Sequence, residues 1–415
     1  MNDWDFQPPP ESELGDREVA LLSTHLQNKR VALLITGSIA AMKAPLIARS
    51  LRRRGAEVIA FASGEALRYT TIDALEWSTT NPVITKLTAA AEHLSDRNPF
   101  SAYLVAPATY NTINKMRQGI ADGMITSALA SAIGRMEQGK TQIIIAPTMH
   151  GSLHNSILTE SLHRLNKMGV KIIPPDLANG KNNLPGSTAI ATAVCRAVTS
   201  SSLKDIPILV TGGPTPVAID HVRRLTNRFT GRLGGYIAEE LYLRGAKVQL
   251  IHGQGSYSPP DYLPHQIVST YDEYRTQVIQ KLQQHPNRFA IFSAAVADYK
   301  PDQVFPGKIP SGGSWQTINL IPTPKIISEV RAKFPDLHMV TFKYQENIAH
   351  TELMTIANTR LQQGYQMVVA NRGEEKGDKG EQVAYLITRD HQPQKVIGKK
   401  AIAVAIADYL ESFSN

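Results

Sequence analysis

A single cysteine, Cys195, in 415 residues excludes an intrachain disulfide and most cysteine-based metal sites. No apolar run approaches the roughly 20 residues that a helix needs to cross a bilayer, so no membrane-spanning helix is expected. The start, Met1-Asn2-Asp3-Trp4-Asp5, lacks the basic and apolar regions of a secretion signal, and a cytoplasmic protein is the expectation. No dense basic run with interleaved aromatics occurs, which argues against a nucleic-acid partner. Neither of the two glycine-rich loops described below spells Gly-x-Gly-x-x-Gly, which counts against a nicotinamide site. A short-chain dehydrogenase would also need a Tyr-x-x-x-Lys pair, and the nearest candidate, Tyr103, is followed four residues later by Pro107.

What is present describes an ordinary soluble globular chain, 42% hydrophobic and 19% charged. Its length exceeds one typical core and predicts two domains of roughly 200 residues each. Lys plus Arg (44) exceed Asp plus Glu (36), and the net charge of +8 suits phosphorylated substrates.

Two stretches carry most of the information. In the first, the strand-like Arg30 to Ile35 runs into Thr36-Gly37-Ser38-Ile39-Ala40-Ala41, then a helical Lys43 to Arg54 with Gly55 at its C-cap, then a strand from Glu57 to Ala62. In the second, Ile208-Leu209-Val210 breaks into Thr211-Gly212-Gly213-Pro214-Thr215, followed by Ile219-Asp220-His221-Val222-Arg223, Leu225-Thr226-Asn227 and Thr230-Gly231-Arg232-Leu233-Gly234-Gly235. Glycine serves where backbone turns with positive φ or approaches a ligand closely, and a helix starting behind such a loop offers unpaired N–H groups to an anion. Arg223 adds a forked, permanent cation suited to carboxylate or phosphate.

The repeated strand–loop–helix opening predicts an α/β protein of two doubly wound, mostly parallel, three-layer domains. The expected division is an N-terminal extension over 1–29, a first domain over 30–198, a small polar linker over 199–205 and a second domain over 206–415. Residues up to about Glu13, with Pro8-Pro9-Pro10, are expected to be disordered or loosely packed, and Glu18 to Gln27 to form a short amphipathic helix. Further strands are expected at Ala102 to Val105, Gln142 to Ile145, Lys247 to His252, Phe289 to Phe292, Val340 to Phe342 and Met367 to Asn371. Helices are expected at Tyr236 to Arg244 and Lys399 to Phe413. The charged run Gly373 to Gly380 reads as a mobile, solvated loop.

The first half, through Gly-Ser-Ile-Ala-Ala, Ala106-Pro107-Ala108-Thr109-Tyr110-Asn111, Gly119-Ile120-Ala121-Asp122 and Ala146-Pro147-Thr148-Met149, resembles the flavin-binding phosphopantothenoylcysteine decarboxylase domain, a flavodoxin-like fold. The second half, through Thr-x-Gly-x-Thr, Ile-Asp-x-Val-Arg, Leu-Thr-Asn, Thr-Gly-x-x-Gly, Ala294-Ala295-Val296-Ala297-Asp298-Tyr299 and Lys308-Ile309, resembles the phosphopantothenate–cysteine ligase domain, a Rossmann-like fold. Together they resemble the bifunctional flavoprotein family of coenzyme A biosynthesis.

The resemblance implies FMN held by Gly37 and Ser38 at its phosphate and by Thr109, Asn111 and Thr126 around the flavin. It implies His93 as acid/base residue, thirteen positions before Ala106. In the second half it implies CTP and Mg2+, with Asp298 and Lys308 in the nucleotide site, Phe342 at a base-stacking position, and Asn227 and Arg223 facing the acyl-nucleotide and substrate. The small-molecule substrates implied are 4'-phosphopantothenate, cysteine and the nucleotide, and the family forms homo-oligomers.

Three departures bear on chemistry. His150 stands where the family has an asparagine for the substrate carboxylate, and the flap region Pro174 to Ser187 has no thiol to return a proton. The flap cysteine has no counterpart in Cys195, which falls in a helical stretch and reads as core. Thr359 and Gln363 replace paired family lysines, leaving Lys343 and Arg360 as the nearest cations. The alternative reading is therefore a ligase, or a regulatory protein, whose FMN-binding domain is not catalytic.

Overall fold

The computed structural model describes residues 6–8, 10–94, 98–178, 180–284, 286–312 and 317–413, so parts of the proline-rich start and flap residue Asn179 lie outside the described residues. The chain forms two compact units, Met1–Thr199 and Ser200–Asn415.

In the first unit the order is β1 (Arg30–Ile35), α1 (Ala44–Arg52), β2 (Glu57–Ala62), α2 (Ile72–Thr79), β3 (Ala102–Ala108), α3 (Tyr110–Gln118), α4 (Met124–Glu137), β4 (Gln142–Pro147), α5 (Ser156–Lys167) and β5 (Lys171–Ile172). A hairpin of β6 (Asp176–Ala178) and β7 (Lys181–Asn183) and then α6 (Ser187–Val198) complete it. The five-stranded sheet is parallel, in the order β2-β1-β3-β4-β5. Its near-continuous apolar strands are buried on both faces, as helices on either side of a parallel sheet require. One face packs Ala32, Leu34, Phe61 and Val105 against α3, α4 and α5. Cys195, 1% exposed, lies in α6 among Ile190, Ala191 and Val194.

The segment Glu18 to Gln27, expected to be helical, is a strap of turns instead. Leu22 and Leu26 donate their amides to the carbonyls of Arg53 and Arg54, and only Leu26 is buried, while Leu21 and Leu22 stay exposed. A ten-residue segment is too short to hold a helix without tertiary packing, and here only Leu26 is packed.

The second unit runs β8 (Pro207–Gly212), β9 (Val217–Ala218), β10 (Arg224–Leu225), α7 (Arg232–Leu243), β11 (Lys247–Gly253), β12 (His265–Val268), α8 (Tyr271–Gln284), β13 (Phe289–Phe292), β14 (Tyr299–Pro301) and β15 (Leu320–Pro322). Then come α9 (Ile326–Lys333), β16 (His338–Gln345), α10 (His350–Gln362), β17 (Met367–Arg372), β18 (Val383–Ile387), β19 (Gln394–Ile397) and α11 (Lys399–Ser412). The eight-stranded sheet, ordered β12-β11-β8-β13-β16-β17-β18-β19, is parallel through β17 and antiparallel at its last two pairings. One face is covered by α7 and α11 through Ile237, Leu241, Ile402 and Ile406, the other by α8 and α9 through Tyr274, Val278 and Val330.

Helix α7 begins four residues earlier than the pattern predicts and absorbs Gly234 and Gly235. A Cβ on Gly234 would lie 2.7 Å from Gly212 Cα, so these glycines serve close helix–strand packing rather than a turn. The run Gly373 to Gly380 is not plain solvated charge. Glu375 accepts hydrogen bonds from Tyr385 Oη at 2.7 Å and Arg372 Nη2 at 2.8 Å and pairs with Lys395 at 3.0 Å. Burial pushes its carboxyl up, but these three partners outweigh burial and bring it down to about 2.

Candidate functional site

The strand order of each unit's main sheet reverses once, the place where ligands of open α/β sheets bind. Gly37, Ser38 and Thr109 lie beside that point in the first unit and Asn227 and Asp298 in the second, whereas Thr126, His150 and Phe342 lie on other elements. In the first unit that point lies between β1 and β3. The two loops there are tied by Thr36, whose Oγ1 donates to Pro107 O at 2.7 Å and accepts from Thr109 N at 3.2 Å. Ser38 is half-buried, extended at φ −144°, and its Oγ accepts from Ala40 N at 3.3 Å at the start of a 3-10 turn, Ile39–Lys43, that leads into α1. Thr36 to Met42 contains no acid, so the helical N–H groups face a position suited to phosphate.

Thr109 precedes α3, its hydroxyl 3.1 Å from that of Thr112, and Asn111 is exposed in the first turn. Thr126 is 8% exposed and its hydroxyl is committed to the start of α4, accepting from Gly123 N at 2.9 Å and donating to Gly123 O and Asp122. His93 is half-buried in a turn, with Nδ1 buried and unpartnered among the described residues. His150 is exposed ahead of a 3-10 turn, Gly151–Leu153, after β4. The β6–β7 hairpin comes against that segment through a Met149–Asn182 bridge and a 2.7 Å contact of Asn182 Nδ2 with His154 Nδ1.

In the second unit the reversal lies between β8 and β13. The loop after β8 turns at Gly213, φ 76°, and is laced to the loop after β13: Ala295 N donates to Gly213 O at 2.9 Å, and Ala297 N to Thr215 Oγ1 at 2.9 Å. Asn227 reaches the same loop, Nδ2 donating to Ala295 O at 2.9 Å, while its Oδ1 is buried with no partner among the described residues. An acceptor buried and unmet is costly unless something arrives to bond it. Beside it lies a cleft of about 320 Å³ bordered by Pro214, Arg224, Asn227, Arg228, Phe229 and Gly255. The aromatic on this cleft is Phe229, whose ring meets Tyr344 edge-on at 5.2 Å. Phe342 is half-buried against the core beneath α7 and α11, its carbonyl accepting from Arg360.

Arg223 and Lys308 are brought together by Asp220, which is 3% exposed. Asp220 accepts from Val222 N at 2.7 Å, Arg223 N at 2.5 Å and Ile309 N at 3.0 Å. The Arg223 guanidinium donates to Ile309 O at 3.1 Å and lies 3.5 Å from Asp220 Oδ2, so it clamps the segment that presents the exposed Lys308. Asp298 is instead paired with Lys325, a residue with no motif around it to single it out in the sequence. His252 was also missed. Fully buried under the glycine loop, it lies with Nε2 3.2 Å from Gly231 O, and burial pushes its ring below the ordinary histidine value.

The Ile309 amide, against the opposing pull of burial, and then the amides of Arg223 and Val222 hold the Asp220 carboxyl down at about 2. Because that lies below the ordinary 3.8, its stabilisation is complete above about pH 4 and is lost as pH falls to about 2. In an acid titration followed by circular dichroism, Asp220→Asn is expected to flatten the loss of stability in this window and to be less stable than the parent at pH 7. An unchanged titration would contradict the assignment.

A flavoprotein family model matches residues 20–199, and the DNA/pantothenate metabolism flavoprotein C-terminal domain matches residues 203–413. The coenzyme A biosynthesis bifunctional protein CoaBC of Thermococcus kodakarensis is 35% identical over 378 residues, 89% of this chain and 92% of its own. This chain belongs to the CoaBC family. The CoaBC of Methanocaldococcus jannaschii is 30% identical over 90% of this chain and 91% of its own, and that of Escherichia coli 29% identical over 74% and 77%. The two domain models thus fall on the two units, and each overlies one strand-order reversal with its loops. No helix among the described residues is long and apolar enough to cross a membrane.

Proposed function

We propose that the second unit joins cysteine to 4'-phosphopantothenate at the expense of a nucleoside triphosphate, CTP by the family resemblance, and that the first unit binds FMN. The observation that carries the ligase reading is the unmet Asn227 Oδ1 beside a cleft bordered by Arg224 and Arg228, at the junction of two laced loops. The substrate carboxylate attacks the α-phosphorus, pyrophosphate leaves, and the cysteine amine then displaces CMP from the acyl-cytidylate. When bound with the nucleotide, Mg2+ would offset phosphate charge. Asn227 orients the acyl-nucleotide, Lys308 meets phosphate from its clamped segment, and the cleft limits access of water.

The residues after β1 suit FMN: Ser38 Oγ and the N–H groups at the head of the 3-10 turn Ile39–Lys43 would hold its phosphate, with Thr109 and Asn111 near the ring. When bound, the flavin supplies a two-electron sink for decarboxylation of a cysteine-derived carboxylate. His93, with an open Nδ1, holds or moves a proton there. Ser38→Asp is expected to weaken FMN binding about tenfold or more, equivalent to about 1.4 kcal/mol, by setting a carboxylate against the phosphate. The purified variant would lack the yellow colour, and a variant as yellow as its parent would refute the placement.

A flap hairpin without a thiol, lying against the His150 segment, favours a second reading in which the flavin unit is slow or not catalytic. One coupled assay decides. Phosphopantothenate, cysteine and either CTP or ATP are supplied, product masses are recorded, and CO2 is followed from phosphopantothenoylcysteine. Ligated product with pyrophosphate and CMP supports the ligase, and its absence with both nucleotides rejects it. Useful CO2 release rejects the non-catalytic flavin unit. A cytoplasmic homo-oligomer acting on small molecules completes the reading.

A further inference from the structure

Asn227 holds one end of the segment that borders the cleft, and a buried histidine holds the other. Gly231, with φ 84°, turns that segment into α7, and its carbonyl accepts from Gly235 N at 3.2 Å in the first turn of the helix. The same oxygen lies 3.2 Å from His252 Nε2 in β11. A carbonyl can only accept, so Nε2 carries the proton and Nδ1 a lone pair. Nδ1 is buried and has no partner among the described residues.

The loop is built around this ring. His252 is fully buried, level with Gly212 of β8 and Ile267 of β12 in the sheet register. A Cβ on Gly231 would fall 2.3 Å from Nε2, one on Gly213 3.0 Å from Cε1 and one on Gly212 3.1 Å from Cδ2. Three glycines thus leave the space that the imidazole fills, and in a packed interior the ring in turn sets where Gly231 stands over the sheet. Tyr257 lies with its ring 5.8 Å from the imidazole and follows directly on Gln254, Gly255 and Ser256, which border the cleft.

Among the described residues no carboxylate bonds the imidazole. Around it are the Tyr257 phenol, which burial and then the Glu239 charge push up to about 12, His265 of β12, and Arg232 at the head of α7. The Glu239 carboxylate itself accepts from the Tyr262 hydroxyl. Protonation would set a charge and a second N–H without an acceptor into this buried space, so the seated ring is neutral. It takes a second proton only when the loop lifts.

We propose that His252 is a positioning residue of the ligase: neutral, it pins Gly231 and with it the Asn227 segment at the cleft, and protonated, it releases them. This rests on the ligase reading of the second unit. Burial lowers the ring's pKa from the ordinary 6.5, against the opposing bond to Gly231 O. The pinned state is therefore at full strength above about pH 6.5 and weakens as pH falls below it, by at most about tenfold per pH unit for one proton.

The test follows ligation by the full chain from pH 8 to pH 5.5, beside His252→Gln, whose amide replaces the Nε2 donor but takes no proton, and His252→Leu, which fills the space without a donor. At pH 8 the Gln variant is expected to keep kcat/KM within about threefold of the parent, and the Leu variant to lose about tenfold. Between pH 7 and pH 5.5 the parent is expected to lose about fivefold or more in kcat/KM relative to the Gln variant. Substrate phosphates titrate in the same range but equally for both proteins, so the ratio isolates His252. At pH 8 trypsin is expected to cut after the exposed Arg228 about tenfold faster in the Leu variant than in the parent or the Gln variant, because one anchor of that segment is gone. Parallel pH profiles of parent and Gln variant overturn the proposal, as does a Leu variant with the parent's rate and the parent's cleavage. Should the Leu variant fail to fold, as its thermal melting shows, the ratio of parent to Gln variant decides. Should the parent ligate with neither nucleotide, the ligase reading fails, and cleavage at Arg228 still tests the anchor.

Discussion

Gly253→Ala is expected to destabilise the second unit by about 3 kcal/mol or more, the upper range for forcing atoms into packed space. Gly253 closes β11, and a Cβ there would fall 1.6 Å from Pro214 O, which no rotamer can relieve because the clash is with backbone. The opposing loop cannot easily yield. Gly213 sits at positive φ with its own Cβ position 2.4 Å from Gly253 O, and Gly213 O and Thr215 are hydrogen-bonded to the loop after β13. Melting followed by circular dichroism should show a lowered transition for this unit, and nucleotide binding should weaken with it because Pro214 borders the cleft. A variant melting within a degree or two of its parent would mean that the two backbones are not so closely opposed.

Asn227→Ala should act the other way round, on activity rather than on folding. The residue lies in an exposed loop and contributes one hydrogen bond to the fold, to Ala295 O, so a stability change of about 1 kcal/mol is the most expected. Its second polar atom is unmet among the described residues, and a site whose group is positioned to bond substrate loses heavily when that group is removed. The kcat/KM for ligation is expected to fall by about 10²- to 10³-fold, or about 3–4 kcal/mol of transition-state stabilisation. Initial rates with phosphopantothenate as the varied substrate measure it. A fall below about threefold would assign Asn227 to loop structure alone.

Much of the architecture was legible in the chain because parallel strands buried on both faces are nearly continuous apolar runs, and because several run into glycine or proline. Val31 to Ile35 and Ile208 to Val210 are such strands, and the loops behind them lie where the residue pattern placed them. What was not legible depends on contacts across long separations. Lys325 sits in an unremarkable Thr-Pro-Lys-Ile stretch, and only folding brings it to Asp298, 27 residues earlier. Phe229 reads as one more loop residue until its ring is seen at the cleft edge. The Glu18 to Gln27 strap failed for a related reason: its periodicity is helical, yet hydrogen bonds to Arg53 and Arg54 set its path.

The burial of Cys195 gives the first unit a built-in reporter. As the lone sulfhydryl of the chain, held in the interior face of α6, it can meet a water-soluble alkylating reagent only when that helix lifts away. The labelling rate in native buffer therefore counts opening events of the flavin unit alone, and flavin that tightens this unit would slow the clock.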